Sequence, residues 1–115
     1  MTEKTLFSKI IDGEIPGDFV HRDDRCVVIR DIAPKAPVHL LVIPVEPLGG
    51  IQHAQDGHQS LLGHLLLVAR DVARSEGVAD GGYRVVINAG ENGGQEVNHL
   101  HLHVIGGRPM QWPPG

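Results

Sequence analysis

The stretch "NHLHLHVIGG", residues 98–107, decides the fold. His99, His101 and His103 stand at every second position, with leucines between them. Because side chains alternate between the two faces of a β-strand, this spacing predicts a strand with all three imidazoles on one face and with adjacent histidines about 6.6 Å apart. The opposite face carries the leucines and Val104, so we expect it to pack on the core. The histidines should then line a surface or a cleft.

Three interpretations of this histidine row are open. The row could be a polar strand face without a function. It could be a metal site, because a His-x-His pair on a strand can hold zinc with a third ligand from elsewhere. It could also be catalytic, since a neutral imidazole is a nucleophile and a proton carrier near pH 7. Phosphoryl transfer suits such a row because that chemistry depends on positioning and charge neutralisation.

A glycine-rich loop precedes the histidine row. The segment "NAGENGGQE", residues 88–96, contains Gly90, Gly93 and Gly94. Glycines let backbone N–H groups approach a phosphate closely, although a tight hairpin loop would need glycines too. A phosphate cradle that leads directly into the histidines accounts for both features, and the loop therefore favours the catalytic interpretation.

The rest of the chain predicts an α+β fold with a mostly antiparallel sheet of about five strands. Thr5 is a candidate N-cap for a short N-terminal helix that Gly13 ends. Strands are expected on both sides of an Asp23–Asp24 turn, and over 38–44, 83–88 and the histidine stretch. The one long helix lies within 56–77, with an apolar stripe that predicts its buried face: Leu61, Leu62, Leu65, Leu66, Ala69 and Val72.

Composition limits the class of protein. A chain of 115 residues fits a single domain, 1–115, with an irregular proline-rich tail over 107–115. A net charge of −4 argues against a nucleic-acid-binding surface. The one cysteine, Cys26, excludes an internal disulfide and a cysteine-rich zinc site, and we expect it to be buried. With neither a long apolar run nor a signal-peptide pattern, we expect no membrane contact and a cytoplasmic location.

The sequence resembles the histidine triad (HIT) superfamily. "HLHLHV" matches the signature His-φ-His-φ-His-φ-φ, where φ is apolar. The segments "SKIIDGEIP", "DDRCVVIRDIAPKAPVHLLVIP", "GGQEVNHLHLHVIGGR" and "WPPG" resemble the Hint branch, the purine nucleoside phosphoramidate hydrolases. The resemblance covers nearly the whole chain. It implies a HIT-like fold and a homodimer whose sheet continues across the interface, with the Trp112 segment reaching towards the partner's active site.

The resemblance also assigns roles to four histidines. In that family the middle histidine attacks the α-phosphorus and becomes transiently nucleotidylated, and here this residue is His101. His103 is similarly placed to contact the phosphate and the departing group. His99 and His39 resemble the histidines that orient and buffer the nucleophile. Without the resemblance, His39 would be interpreted as a structural histidine in a buried strand, with its ring nitrogens hydrogen-bonded.

The nucleotide-binding residues are expected by the same resemblance. Asp31 and Ile32 would hold the nucleoside, with the carboxylate accepting both ribose hydroxyls, although Asp31 alone could equally be a turn residue. The resemblance also implies contacts on the phosphate side, from Asn88, Gly94, Gln95, Glu96 and Val97. It implies a base pocket lined by Leu6, Phe7, Ile10, Ile15, Ile29 and Leu41. Without the resemblance, each of these could be a plain core residue. Because Glu96 replaces a serine found in many eukaryotic relatives, only its backbone N–H is carried over.

The implied activity is that of a hydrolase acting on P–N bonds, of the adenosine 5'-monophosphoramidase type. Its substrate would be a purine nucleoside phosphoramidate or an aminoacyl adenylate, and its products AMP or GMP and an amine. No metal and no cofactor are expected. Two other functions stay open. One is a dinucleoside polyphosphate hydrolase of a sister branch, and the other is a nucleotide- or zinc-binding interaction module with incidental turnover.

Overall fold

Five antiparallel strands form one sheet in the part of the chain that the structure, a computed structural model, describes (residues 4–115). The spatial order is β1-β2-β3-β5-β4, so β1 and β4 are the edges. The strands are β1 (Phe19–Arg22), β2 (Cys26–Arg30), β3 (Val38–Pro44), β4 (Tyr83–Val86) and β5 (Leu102–Gly106). The helices are α1 (Leu6–Ile11) and α2 (Gln59–Ser75), and two short 3₁₀ turns at Ile51–His53 and Asp56–His58 precede α2. The predicted α+β fold is confirmed.

Helix α1 begins and ends where the sequence predicts. The Thr5 hydroxyl caps it by accepting a hydrogen bond from the Ser8 N–H, at 3.1 Å. The helix ends at Asp12, and Gly13 follows with a φ of 84°, a conformation that glycine adopts without strain. Because Phe7, Ile10 and Ile11 are buried, α1 is held against the sheet by its apolar side.

Helix α2 covers one face of the sheet. Its buried residues are Leu61, Leu65, Val68, Ala69, Val72 and Ala73. The prediction that Leu66 belongs to this stripe is wrong, because that side chain is 51% exposed. Leu66 lies about 100° around the helix from Leu65, and the buried stripe turns towards Val68 and Ala69 instead. Leu62 is partly buried and packs against the same core.

The two faces of the sheet bury two separate cores. Alternate residues of β2 show the division: Cys26 and Val28 pack under α2, whereas Val27 and Ile29 pack towards α1. Cys26 is fully buried, as predicted. Strand pairing carries the same division across the sheet, so that Leu41 opposes Ile29 on the α1 side.

The histidine stretch is only partly a strand, which corrects the prediction. β5 begins at Leu102, so His99 and His101 precede it. The chain turns here: the His99 N–H donates to the carbonyl of Val97 at 2.9 Å, and the Leu100 N–H donates to the carbonyl of Leu48. The leucines still reach the core, but His99 is turned inward and completely buried rather than lining a cleft.

No helix within residues 4–115 combines the length and the apolarity that crossing a membrane requires.

Candidate functional site

A cleft of about 560 Å³ opens on the face of the sheet opposite α2. Its walls come from α1, the ends of β2 and β3, strands β4 and β5, and the loop after β4. The lining includes three of the four predicted catalytic histidines, His39, His101 and His103. It also includes every predicted nucleotide-binding residue except Gln95: Asp31, Ile32, Asn88, Gly94, Glu96, Val97, Leu6, Phe7, Ile10, Ile15, Ile29 and Leu41.

His101 has a fixed tautomer. Its Nδ1–H donates to the backbone carbonyl of His99 at 2.7 Å, an acceptor two residues back that the local turn supplies. A neutral imidazole carries one proton, so Nε2 of His101 keeps a free lone pair. The ring stands edge-on to Phe7, with centroids 4.8 Å apart, and edge-on to His103 at 5.1 Å. Backbone geometry and packing together present an unprotonated nitrogen on a side chain that lines the cleft.

His103 has the opposite tautomer, set by a chain of hydrogen bonds. The backbone N–H of Lys35 donates to Nδ1 of His39 at 3.0 Å, so His39 carries its proton on Nε2. That Nε2–H donates to Nδ1 of His103 at 2.9 Å. His103 must therefore carry its own proton on Nε2. The site holds a bare nitrogen on His101 beside an N–H donor on His103.

His99 lies behind the cleft rather than in its wall. Its Nε2–H donates to the carbonyl of Pro44 at 2.9 Å. Its Nδ1 accepts from the hydroxyl of Thr5, also at 2.9 Å. The N-cap of α1 is thus tied to the turn before β5, and the turn in turn supplies the carbonyl that orients His101. His99 acts as a structural bridge between the helix and the histidine row.

Asp31 lies at the end of β2, close to the histidine chain. Its Oδ1 accepts from the N–H of Ala33 at 2.9 Å, as expected of a turn residue. Its Oδ2 lies 3.4 Å from Nε2 of His39. Ile32 follows at the mouth of the cleft and is 99% exposed.

The glycine-rich loop uses several of its own amides. The Gly94 N–H donates to the carbonyl of Glu91, and the Gln95 N–H donates to the carbonyl of Gly90. The Gln95 side chain accepts from the Gly90 N–H and donates to the carbonyls of Gly49 and Val97. Three of the amides expected to cradle a phosphate are therefore engaged inside the loop. Gln95 stabilises this loop, and Asn88, Gly94 and Glu96 of the loop line the cleft.

Three of the four histidines are neutral at physiological pH. Burial lowers the pKa of His103 to about 4, helped by the neighbouring His101 and His39. Burial also lowers the pKa of His39, against the opposing effect of Asp31. Burial lowers the pKa of His99 although the bond to the Pro44 carbonyl favours its protonated form. Neutral imidazoles are what the hydrogen-bond chain requires, because His99, His39 and His103 each accept at one ring nitrogen.

The cleft also contains residues that the sequence did not point to, namely Pro16, Arg30, Ala33, Lys35, Val86 and Ile105. Strand alternation could have found two of them, because Val86 pairs with His103 and Ile105 pairs with His39. The roles of Thr5, Pro44 and the Lys35 amide depend on contacts between distant parts of the chain. No local sequence pattern predicts those contacts.

Comparison with known proteins gives the family. The sequence model of the HIT domain matches residues 12–110. The chain belongs to the HIT domain family. A crystal structure of a HIT family hydrolase from Legionella pneumophila superposes on this HIT domain with a TM-score of 0.95 at 46% identity, over 97% of this chain and 100% of the other.

Two sequence relatives extend the comparison. An uncharacterized HIT-like protein of Synechococcus elongatus is 55% identical over the full length of both chains. A 14 kDa zinc-binding protein of Zea mays is 50% identical, over 96% of this chain and 88% of its own. Within residues 4–115, Asp31, His39 and His103 have ligand atoms within 4.8 Å of one another, which makes this end of the HIT site a candidate metal site.

We predict that this HIT domain loses stability as the pH falls from about 7 towards 4. An unfolded histidine takes up a proton near pH 6.5, whereas the lowered pKa values of His39, His99 and His103 keep the folded rings neutral. Their contribution is therefore complete above pH 6.5 and declines below it. Urea unfolding across this range measures the free energy of unfolding. His103→Gln should reduce the slope by at most about 1.4 kcal/mol per pH unit, and an unchanged slope would contradict the assignment.

Proposed function

We propose that this HIT domain is a hydrolase of the Hint type. It would cleave purine nucleoside phosphoramidates to AMP or GMP and an amine, and aminoacyl adenylates, by breaking a P–O bond, to AMP and an amino acid. The observation that carries the proposal is the hydrogen bond from Nδ1 of His101 to the His99 carbonyl. That bond leaves Nε2 as the attacking atom. Attack on the α-phosphorus forms an Nε2–P bond and breaks the P–N bond to the amine, and water then releases the nucleotide.

His103 would serve the phosphate and the departing amine. Its Nε2–H, fixed by His39, is a hydrogen-bond donor beside the attacking ring. An anionic phosphate at this position favours the protonated form of His103 and opposes the effect of burial on its pKa. In that form His103 hands its Nε2 proton to the amine as the P–N bond breaks. Its Nδ1 then also carries a hydrogen and cannot accept from His39, so Oδ2 of Asp31, 3.4 Å from Nε2 of His39, is the acceptor left for the His39 N–H.

The apolar end of the cleft fits a purine. Phe7 and Ile10 of α1 and Ile29 and Leu41 of the sheet form a buried wall, which suits a flat base that stacks on apolar side chains. Asp31 lines the same cleft beside His39, and we assign it to the ribose. The cleft thus offers an apolar pocket for the base, a carboxylate for the ribose and a histidine row for the phosphate.

A zinc-binding role at the same site is the second candidate. It is favoured by the clustered ligand atoms of Asp31, His39 and His103 and by the name of the Zea mays relative. Both ring nitrogens of His39 are already engaged, so zinc would have to displace the bond to His103 or the bond from Lys35. If a chelator abolishes turnover of a phosphoramidate, the result supports the zinc-binding role and contradicts the metal-free mechanism.

We also propose a homodimer. β4 is an edge of the sheet, and Val85 on it is exposed on the side that α2 covers. Leu66 and Leu67 of α2 and Trp112 of the tail are exposed too. Pairing of two β4 strands would continue the sheet and cover Val85, which one chain leaves in water.

The first prediction of this proposal concerns the histidines. His101→Ala should reduce turnover of an adenosine phosphoramidate by on the order of 10⁴-fold or more, because the nucleophile is lost. His103→Ala should cost about 10²- to 10⁴-fold, with a loss that depends on the amine. His99→Ala should cost least in turnover, since the carbonyl that orients His101 is backbone, but it should lower the free energy of unfolding. His58→Gln is the control, as His58 pairs with Glu46 away from the cleft.

Rapid quench with labelled substrate adds a direct readout. The nucleotide should be trapped on the peptide that contains His101. An absent adduct, or an adduct on His99 or His103, would remove His101 from the proposed role.

The second prediction concerns Asp31. Asp31→Ala should weaken AMP binding by about 1.5–3 kcal/mol, because charge-assisted hydrogen bonds to the ribose are lost. Asp31→Asn keeps an oxygen for the Ala33 N–H and should lose less. Calorimetric titration with AMP measures both. Unchanged affinity in Asp31→Ala would exclude the residue from the binding site.

The third prediction concerns assembly. Sedimentation at micromolar concentration should give the mass of a dimer. Val85→Lys should give a monomer, because a lysine on an edge strand opposes strand pairing. A monomeric wild-type chain would count heavily against the proposed interface.

A further inference from the structure

Four potential ligands converge on the side of the sheet that lies under α2, away from the cleft. They come from three elements and one turn: His21 on β1, Asp23 in the turn, Cys26 on β2 and His64 on α2. Cys26 packs in the core under α2, whereas the cleft opens on the opposite face. The proposed hydrolase uses none of these residues.

The Asp23 carboxylate stands at the centre of this cluster. Its Oδ1 accepts from the N–H groups of Arg25 and Cys26, both at 2.8 Å, which is all that the turn requires. Its Oδ2 faces three further groups: Nε2 of His21 at 2.7 Å, Nε2 of His64 at 2.9 Å and Sγ of Cys26 at 3.5 Å. Two imidazoles and a thiol thus converge on Oδ2, whereas the backbone hydrogen bonds of the turn go to Oδ1.

The distances are close to those of a metal site. The ligand atoms of His21, Asp23 and Cys26 lie within 4.8 Å of one another. In a tetrahedral zinc site with bonds of about 2.0–2.3 Å, neighbouring ligand atoms lie about 3.3–3.7 Å apart. Side-chain shifts of roughly 1 Å would therefore open the group of His21, Asp23 and Cys26 around an ion. His64 reaches this group through Oδ2 of Asp23, at 2.9 Å, and would swing in as the fourth ligand. His21 and His64 are partly exposed, and a shallow depression beside His64 offers a route for the ion.

We propose that His21, Asp23, Cys26 and His64 bind a zinc ion that joins the β1–β2 hairpin to α2. Two imidazoles, a carboxylate and a thiolate form a closed set of four, which is typical of a structural zinc site. On binding, the Cys26 thiol proton passes to solvent and an Sγ–Zn bond forms. Each imidazole binds through Nε2 and carries its proton on Nδ1. The nitrogen and sulfur ligands exclude Mg²⁺, which prefers oxygen.

Equilibrium dialysis of the full-length protein against zinc chloride tests the proposal. The wild type should bind one Zn²⁺ per chain at this cluster at micromolar free zinc, and zinc should raise its melting temperature, because the folded state alone presents the ligands together. Cys26→Ala, His21→Gln and His64→Gln should each weaken zinc binding by more than about 100-fold, since loss of even an outer partner typically costs 10- to 100-fold. Co²⁺ should give a thiolate charge-transfer band that Cys26→Ala lacks.

Two matched controls separate this cluster from other histidines. His58→Gln removes a partly buried histidine that is paired with the Glu46 carboxylate and accepts from the Gln55 N–H, and it should leave zinc affinity unchanged. His103→Ala removes the other group of potential ligands, in the cleft, and should leave the stabilisation by zinc and the cobalt band intact. His21→Gln and His64→Gln act on partly exposed side chains, so they remain informative if Cys26→Ala fails to fold. The proposal is overturned if the protein binds no zinc, if any of the three ligand variants keeps wild-type affinity, or if His103→Ala alone abolishes binding.

Discussion

One hydrogen bond organises the candidate site: the Nδ1–H of His101 donates to the backbone carbonyl of His99. It decides which nitrogen of His101 is bare, and the attack proposed here depends on that nitrogen. The bond in turn depends on the turn between Val97 and Leu100, which the buried His99 ring fastens to Pro44 on β3 and to Thr5 at the start of α1. A helix cap, a strand end and a tight turn therefore cooperate to orient one imidazole. Because the orienting acceptor is backbone, side-chain substitution at position 99 disturbs the support and leaves the acceptor itself in place.

The sheet has the main apolar core on one face and the candidate site on the other. On one face, α2 buries an aliphatic core together with Cys26. On the other face, α1 and the loop after β4 leave a cleft in which neutral histidines share their protons in a fixed order. Burial lowers the pKa values of His39, His99 and His103, and the hydrogen-bond chain through them requires neutral rings. Burial of these rings thus contributes to packing and also keeps each ring in one tautomer. Because the buried rings resist protonation, the free energy of unfolding should fall in acid.

The sequence predicted the order of elements and the five-stranded sheet, because these follow from local periodicity. Most of the cleft residues were expected only from the resemblance to the HIT superfamily. The sequence placed His99 wrongly because strict alternation assumes a strand that extends back through residue 99, whereas the Leu100 amide pairs with Leu48 and the chain turns. It placed Leu66 wrongly because a helical stripe several residues wide does not show where its edge lies. The partners that fix tautomers, such as the Lys35 amide and the Pro44 carbonyl, are backbone groups distant in sequence, and side-chain patterns carry no information about them. For the same reason the convergence of His21 and His64 on Asp23 became visible only when α2 was placed over the hairpin.

The central claim is that one of the four histidines at the site differs from the others in the position of its proton. Nitrogen NMR of the protein labelled with ¹⁵N-histidine reports directly which ring nitrogen carries hydrogen. At neutral pH and without ligand, His39, His99 and His103 should be protonated at Nε2, and His101 should be protonated at Nδ1, with a bare Nε2. A spectrum that shows His101 protonated at Nε2 would contradict the account, because the nitrogen assigned to attack would then be blocked.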